Sequence, residues 1–102
     1  MSAQLQHDDF AQCLTDKFQV MDENAAPFDL ELIQVSEEMV APRQRVFSIL
    51  FRGPLDKFMP QRIYKLKHHQ LGVREIFLVP VSKDNEGYQY QAVFNYLIQS
   101  AS

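Results

Sequence analysis

The chain has 102 residues, of which 46% are hydrophobic and 23% charged, so it is long enough for one hydrophobic core and too short for two. A formal net charge of -3 gives no basic field, which argues against nucleic acid or an anionic membrane surface as a partner. The single cysteine, Cys13, allows neither an internal disulfide nor a zinc site made of cysteine pairs, and this is typical of a reducing compartment.

The amino terminus lacks the basic segment and apolar core of a signal peptide, and no run approaches the ~18 apolar residues of a membrane helix. We therefore expect a cytoplasmic protein. Eight phenylalanines and four tyrosines supply large side chains for a core, and only three glycines and five prolines argue against disorder. With no internal repeat and no linker, residues 1–102 are predicted to form a single domain.

The first predicted element is a short helix over residues 8–17, where Phe10 and Cys13 recur at helical spacing. A brief strand is predicted at residues 18–21, and a polar turn at residues 22–27 should close it. The pattern predicts no other helix in the chain.

Residues 28–35 are predicted to form a strand that changes sides. Apolar and acidic residues alternate up to Leu32, with the apolar residues at even-numbered positions. After Leu32 the apolar residues, Ile33 and Val35, stand at odd-numbered positions and would face the other side of the sheet. One extra residue near Leu32 and Ile33, a β-bulge, would turn the later side chains to the other face. Residues 37–42 are then predicted to connect this strand to the next.

The strand around which the fold is predicted to form runs from Arg45 to Gly53. Its apolar side chains alternate between two faces, so we expect both faces to be covered. One face carries Val46 and Leu50, and the other carries Phe47, Ile49 and Phe51. Gly53 and Pro54 end the strand, since proline offers no N–H to a sheet.

Two further strands are predicted after the apolar loop of residues 55–60. In residues 61–69 the side chains alternate between the two faces of a strand. One face is mostly basic, and the other carries Tyr64, Leu66 and His68. Residues 75–81 are apolar on both faces, so this strand should lie beside the central strand or face the helix.

The last strand is predicted at residues 88–97, after a polar hairpin loop at residues 82–87. One of its faces is an aromatic ladder made by Tyr88, Tyr90, Ala92, Phe94 and Tyr96. Residues 98–102 are predicted to be a frayed tail.

Six short strands with hairpin-scale connections predict an antiparallel meander, because parallel pairing needs long crossovers. The bulge and the two strands with apolar residues on both faces favour a sheet curled into a small barrel, with the N-terminal helix over one open end. A two-layer β-sandwich is the alternative. The predicted class is therefore mainly β, with one short N-terminal helix.

Four short motifs occur together in the last two-thirds of the chain. They are Phe-Ser-x-x-Phe-Arg-Gly-Pro at residues 47–54, Pro-Gln-x-x-Tyr at 60–64, Phe-Leu-Val-Pro at 77–80 and Ala-Val-Phe-Asn at 92–95. As a joint pattern they resemble a small bacterial family catalogued only as a domain of unknown function. Ile49, Met59 and Ile76 stand where that pattern has leucine, and all three suit a core. The resemblance implies no activity, ligand or catalytic residue; it implies a setting beside phage-tail-like or tail-fibre-type genes, which favours an assembly role.

Histidine, cysteine and serine often serve in catalytic or metal sites, but in this chain their surroundings favour a structural role. His68 and His69 are adjacent on a predicted strand and point to opposite faces, so they cannot chelate one metal ion from a regular strand. Cys13 has helical spacing with apolar neighbours, which is typical of a buried small hydrophobe. Ser48 lacks the glycine-flanked turn of a nucleophilic serine. We therefore expect no catalytic residue, no metal site and no cofactor.

Six residues remain as candidate binding residues: Arg52, Gln61, His68, Tyr88, Tyr90 and Asn95. Arginine and glutamine at strand ends can bind a carboxylate or a peptide backbone. Alternatively, Arg52 ties down the following loop by donating to its carbonyls, and Asn95 is open to the same two interpretations. The tyrosines can stack on bases or sugars, but no basic residues accompany them, so core lining or a protein interface is the better interpretation.

Three functions are consistent with these observations. The first is a small structural or assembly module that contacts a protein partner or a second copy of the chain, through an exposed strand edge or the aromatic face of residues 88–96. The alternative is a β-barrel that holds a small apolar ligand. In that case Arg52, Gln61 or His68 would bind a polar group of the ligand at the mouth of the barrel. A cofactor-free hydrolase built on Cys13 or Ser48 with His68 is the least supported. We expect no enzymatic activity and no nucleic-acid or membrane partner.

Overall fold

A computed structural model describes residues 5–21 and 26–97. Within them, one helix, α1 (His7–Ala11), precedes seven strands: β1 (Lys17–Met21), β2 (Phe28–Val35), β3 (Met39–Ala41), β4 (Gln44–Gly53), β5 (Arg62–His68), β6 (Gly72–Asp84) and β7 (Gly87–Leu97). The predicted turn at residues 22–27 lies mostly outside the described residues, and the predicted tail at 98–102 lies wholly outside them. The helix found in the described ranges is far too short to cross a membrane.

The strands form one antiparallel sheet that closes on itself. Its order is β2-β1-β5-β6-β7-β4-β3, and β2 also pairs with β4, which closes a barrel of six strands. This confirms the predicted small antiparallel barrel with one short helix. The structure adds β3 as a further strand, and it pairs β1 with β5 and β4 with β7, so barrel neighbours are not always neighbours in sequence.

The sequence predicts a bulge in β2, and the structure has one at that place. Leu32 pairs with Phe51 and Gln34 pairs with Leu50, so Ile33 is the extra residue between two regular pairs. An extra residue bends a strand and increases its twist. The bulge therefore helps β2 to curl from its pairing with β1 to its pairing with β4.

β4 is the central strand, since it lies between β7 on one side and β2 and β3 on the other. Phe47, Ile49 and Phe51 point into the barrel and are at most 2% exposed. The expected coverage of both faces holds only in part, because Val46 and Leu50 point outward and keep some exposure. Buried apolar side chains from the other elements fill the rest of the interior, among them Phe10, Phe18, Leu30, Leu66, Leu78 and Tyr90.

β6 is longer than predicted and is covered on one face only. It runs from Gly72 to Asp84, because its pairing with β7 continues through polar residues that the sequence presents as a loop. Ile76 and Leu78 face the core, whereas Phe77 is 48% exposed. β6 lies between β5 and β7, so the expectation of a doubly covered strand beside β4 is wrong.

α1 ends earlier than predicted, at Ala11 rather than near residue 17. The chain then turns through Thr15, whose φ of 73° is incompatible with a helix, and the N–H of Thr15 donates to the Leu32 carbonyl at 2.8 Å. A contact with β2 therefore replaces the last turns of the predicted helix. The buried ring of Phe10 packs against Phe47, which fixes α1 on the barrel core.

Candidate functional site

The sheet extends beyond the barrel at one corner. β4 changes partner along its length, since residues 49–52 pair with β2 and residues 44–46 pair with β3. β7 stays paired with β4 along the whole of that length, so residues 95–97 complete a three-stranded extension. We refer to this extension, residues 39–46 and 95–97, as the arm.

The outward face of the arm is open to solvent and carries exposed apolar side chains. Residues that pair directly across strands share a face, and two such rows cross the arm: Met39, Val46 and Asn95, followed by Ala41, Gln44 and Leu97. Met39 is 72% exposed and Leu97 is 80% exposed. Val93 lies on the same face at the root of the arm and is 63% exposed. Exposed apolar side chains grouped on one face of a sheet suit an interaction surface.

The opposite face attaches the arm to the barrel. Arg45 pairs with Tyr96, whose ring packs edge-on against Phe47 with 6.0 Å between ring centroids. The Tyr96 hydroxyl donates to the Leu5 carbonyl. Burial, with a smaller effect of Asp9, raises the pKa of Tyr96, so the hydroxyl keeps the proton that it donates. These contacts hold the arm in one orientation, with its apolar face outward.

The arm has two open edges within the described residues. β3 pairs with β4 alone. On the other side, the pairing of β7 with β6 ends at Gln91, so residues 92–97 of β7 pair only with β4. Open edges present N–H and C=O groups that can pair with a strand of another chain.

The segment that leads into the arm is fixed by α1. His7 Nε2 lies 2.9 Å from the Ser36 carbonyl oxygen, and His7 Nδ1 lies 3.1 Å from the Asp8 carboxylate. The hydrogen bond to Asp8 is the largest cause of a raised pKa of His7; the Ser36 carbonyl and Glu38 also raise it, against an opposing effect of burial. Ser36 and Ser48 are joined by hydrogen bonds of 2.8 Å. His7 therefore ties the helix to the segment that leads into the arm, and protonation strengthens that tie.

Arg52 and Gln61 do not form the shared rim that the sequence suggests. Arg52 Nη1 lies 3.1 Å from Glu86 Oε2, so Arg52 pairs with the turn between β6 and β7. The Nε atom of Arg52 is buried, and it has no hydrogen-bond partner among the residues described. Gln61 is exposed, and across residues 5–21 and 26–97 no hydrogen bond or ion pair joins it to Arg52.

His68 is buried and both of its ring nitrogens are engaged. Nε2 lies 2.8 Å from Asp16 Oδ2, while Nδ1 accepts the backbone N–H groups of Gln70 and Leu71 at 3.1 and 3.2 Å. Because Nδ1 is an acceptor, Nε2 carries the proton and donates it to Asp16. His68 is 2% exposed, so it closes a turn and does not stand at a binding-site mouth.

Cys13 forms a cluster with Asp16 and His68, in which the potential ligand atoms lie within 4.8 Å of one another. A metal-bound imidazole donates from its other nitrogen, whereas Nδ1 of His68 faces two backbone donors. Burial, with smaller effects of Asp16 and Asp9, raises the pKa of Cys13 and favours the neutral thiol, which donates to the Asp9 carbonyl at 3.2 Å. The cluster fits neither a metal site nor a nucleophile; it joins the turn after α1 to the turn after β5.

The aromatic ladder of β7 faces the core and not a partner. Tyr90 is 0% exposed. Its hydroxyl accepts the backbone N–H of Met59 at 3.0 Å and donates to the Lys57 carbonyl at 3.5 Å, so it anchors the loop before β5. Tyr88 is half-buried, and its ring lies edge-on to Phe58. Of the two surfaces that the sequence offers for a protein contact, the strand edge is therefore the accessible one.

Among the six candidate residues, Asn95 alone lies on the arm, where it is exposed beside Val46. The predicted strands include most of the β4 and β7 parts of the arm; β3 is absent from them, because residues 37–42 are predicted to be a connection. Pro42 and Arg43 form the two-residue turn of this hairpin, and they are not of the Asn-Gly or Asp-Gly kind that marks such a turn, so no turn signal in the sequence points to it.

Two surface hollows lie away from the arm. One, of about 350 Å³, contains Phe28 with Lys57 above its ring and Tyr64 with Arg62 above its ring. The other, of about 420 Å³, has Arg52 in its wall. Both are open to solvent; the first reaches the core residues Val20, Met59 and Tyr64, and core side chains fill the rest of the barrel interior.

One family model matches residues 5–94, and its description is a domain of unknown function (DUF6916). No curated protein and no solved structure gave a match.

Proposed function

The chain belongs to the family described as a domain of unknown function (DUF6916), and we propose that it is a small assembly module that binds a protein partner through the arm. The observation that carries the proposal is the exposure of Met39, Val93 and Leu97 on one outward face that two open strand edges border. Covering that face removes apolar surface from water. A strand added at either edge would gain backbone hydrogen bonds at the same time.

The geometry gives less support to the other two functions. For a ligand-binding barrel, the interior would need space, but Phe18, Phe47 and Phe51 occupy it. For a hydrolase, His68 would need a free ring nitrogen to activate a nucleophile, and both of its nitrogens are engaged. The raised pKa of Cys13 also disfavours a thiolate.

We extend the proposal to repeated assemblies of the phage-tail-like kind, in the bacterial cytoplasm. The two edges of the arm support this extension, because a subunit that offers one edge and accepts a strand at another can join a chain or a ring of copies. The lone buried thiol of Cys13 needs no oxidising environment.

Site-specific photo-cross-linking in the cells that make the protein tests this proposal without knowledge of the partner. A photoreactive residue replaces Met39 or Leu97 in the full chain, and Lys65 serves as the control because it is exposed on β5, which makes no pairing with the arm strands. We expect cross-links to protein, either another chain or a second copy, from positions 39 and 97 and not from position 65. Cross-links of equal yield from all three positions, or none from the arm, would contradict the proposal.

A further inference from the structure

The open edge of β3 fits a second copy of the same chain, and we propose that two chains pair β3 to β3 in antiparallel orientation. This inference rests on the proposed function, since it names the partner that the arm accepts. Two features of the sequence and the hairpin support it: the direction of the backbone groups at the edge, and the charges on either side of the strand.

Backbone groups of β3 alternate between β4 and the open edge. Ala41 and Gln44 flank a two-residue turn, and the pair that closes such a turn exchanges both backbone hydrogen bonds. The next pair, Val40 and Arg45, is therefore of the non-hydrogen-bonded kind. It follows that the N–H and C=O groups of Val40 point away from β4, toward the open edge.

An antiparallel copy centred on Val40 uses these groups. The two Val40 residues exchange N–H···O bonds in both directions. Pro42, the first residue of the turn after β3, has no N–H for the pairing to leave unsatisfied. The outward backbone groups of Val40 therefore pair with those of a second copy in this register.

Charge favours the same register. With Val40 at the centre, Glu37 approaches the turn of the second copy that carries Arg43, so the two opposite charges can form an ion pair, and the two-fold symmetry repeats that approach at the other end. Both residues are exposed. Met39 then lies opposite Ala41 of the second copy, which covers part of its exposed side chain. A register shifted by two residues, with Met39 at the centre, moves Glu37 away from the turn that carries Arg43.

We expect the affinity between the two copies to be low, because β3 has only three residues and its pairing buries little surface. The dimer therefore depends on concentration, and sedimentation equilibrium over a concentration series is the suitable measurement. Pairing at β3 also leaves the edge of β7 residues 92–97 open for a different contact.

Val40→Pro tests the edge directly. Proline at this position removes the N–H that faces the second copy, but it removes no hydrogen bond within the β3–β4 hairpin. We expect the full chain to dimerise, and V40P to raise the dimer Kd about thirtyfold through the loss of one ordinary hydrogen bond from each copy. The matched control, Val40→Thr, keeps the N–H and the β-branched shape, so it should dimerise like the wild type.

Charge reversal provides the second test. Glu37→Arg should weaken the dimer, and Glu37→Arg combined with Arg43→Glu should restore it, because the combination rebuilds both ion pairs with opposite polarity. Wild-type chain that stays monomeric at every concentration, or dimers that V40P and E37R leave unchanged, would overturn the inference. If the chain is monomeric but its arm cross-links to a different protein in cells, self-pairing is wrong and the proposed function stands. If the arm cross-links to nothing, the proposed function itself is wrong.

Discussion

The Nε2 atom of His68 lies 2.8 Å from the Asp16 carboxylate, although 52 positions separate the two residues in the chain. This contact fastens the turn after α1 to the turn after β5, and the backbone N–H groups of Gln70 and Leu71 occupy the other ring nitrogen. The most suggestive histidine of the sequence therefore stabilises the barrel. The surface that we assign to function lies on other strands, at the arm.

Replacement of His68 should destabilise the protein strongly. His68→Ala removes a buried ring together with its hydrogen bonds to Asp16, Gln70 and Leu71, and we expect it to lower the free energy of unfolding by about 3 kcal/mol. His69→Ala is the control: the two rings do not point to opposite faces as expected, since their centroids lie 4.3 Å apart, but the variant leaves the hydrogen bonds of His68 in place and should change that free energy by only about 1 kcal/mol. Urea unfolding measures both. Similar losses of free energy in the two variants would show that the hydrogen bonds of His68 do not stabilise the barrel.

Two glycines should differ in their tolerance of alanine. A Cβ atom at Gly87 would lie 2.2 Å from the Gly53 carbonyl oxygen, whereas a Cβ atom at Gly72 would meet nothing within 4 Å. Gly72 has a φ of 76°, so Gly72→Ala should cost about 1 kcal/mol of backbone strain. Gly87→Ala adds a backbone clash and should cost about 3 kcal/mol or more. Equal midpoints of thermal unfolding for the two variants would contradict the close packing of β4 on β7.

The pH dependence of stability should contain a contribution from His7. Asp8, Ser36 and Glu38 raise the pKa of His7 in the folded chain above its unfolded value of about 6.5. The stabilisation is therefore fully present below that unfolded pKa and is lost as the pH rises through the folded pKa. Between about pH 5.5 and about pH 8.5, the wild type should lose more free energy of unfolding than His7→Gln. Parallel pH profiles in urea unfolding would show that protonation of His7 does not stabilise the fold.

Cys13 should be unreactive while the protein is folded. It is 1% exposed, and its burial among Asp16 and Asp9 raises the pKa of the thiol. Only the thiolate reacts with a disulfide reagent, so we expect slow labelling at about pH 8 in buffer and fast labelling in denaturing urea. Cys13→Ala supplies the baseline. Fast labelling of the folded chain would reopen the question of a nucleophilic role.

Local alternation in the sequence was enough to predict most of the barrel. The apolar parity of β2 changes at Ile33, and the structure has its bulge there. In β5, Tyr64, Leu66 and His68 share the inward face as predicted, and β4 is the central strand. These features depend only on which side chains are apolar, and the residue types alone are enough to establish that.

The features that were missed depend on contacts between distant parts of the chain. β3 has three exposed residues and exists because it pairs with β4, so no burial pattern marks it. α1 stops at Ala11 because Thr15 bonds to the carbonyl of Leu32. The meeting of Asp16 with His68 likewise follows from the closure of the barrel, and spacing along the chain does not show it. Because β3 is not visible in the sequence pattern, the three strands of the arm cannot be recognised there as one surface.

The apparent mass of the protein in gently lysed cells tests the arm as a protein-binding surface most directly. We expect the wild-type chain to elute from gel filtration in a complex well above its own mass of 11.9 kDa. Leu97→Asp places a charge on the apolar face of the arm, so it should release the chain as a monomer, whereas Lys65→Asp on β5 should leave the complex intact. A wild-type chain that elutes as a monomer, or a complex that persists with L97D, would contradict the account.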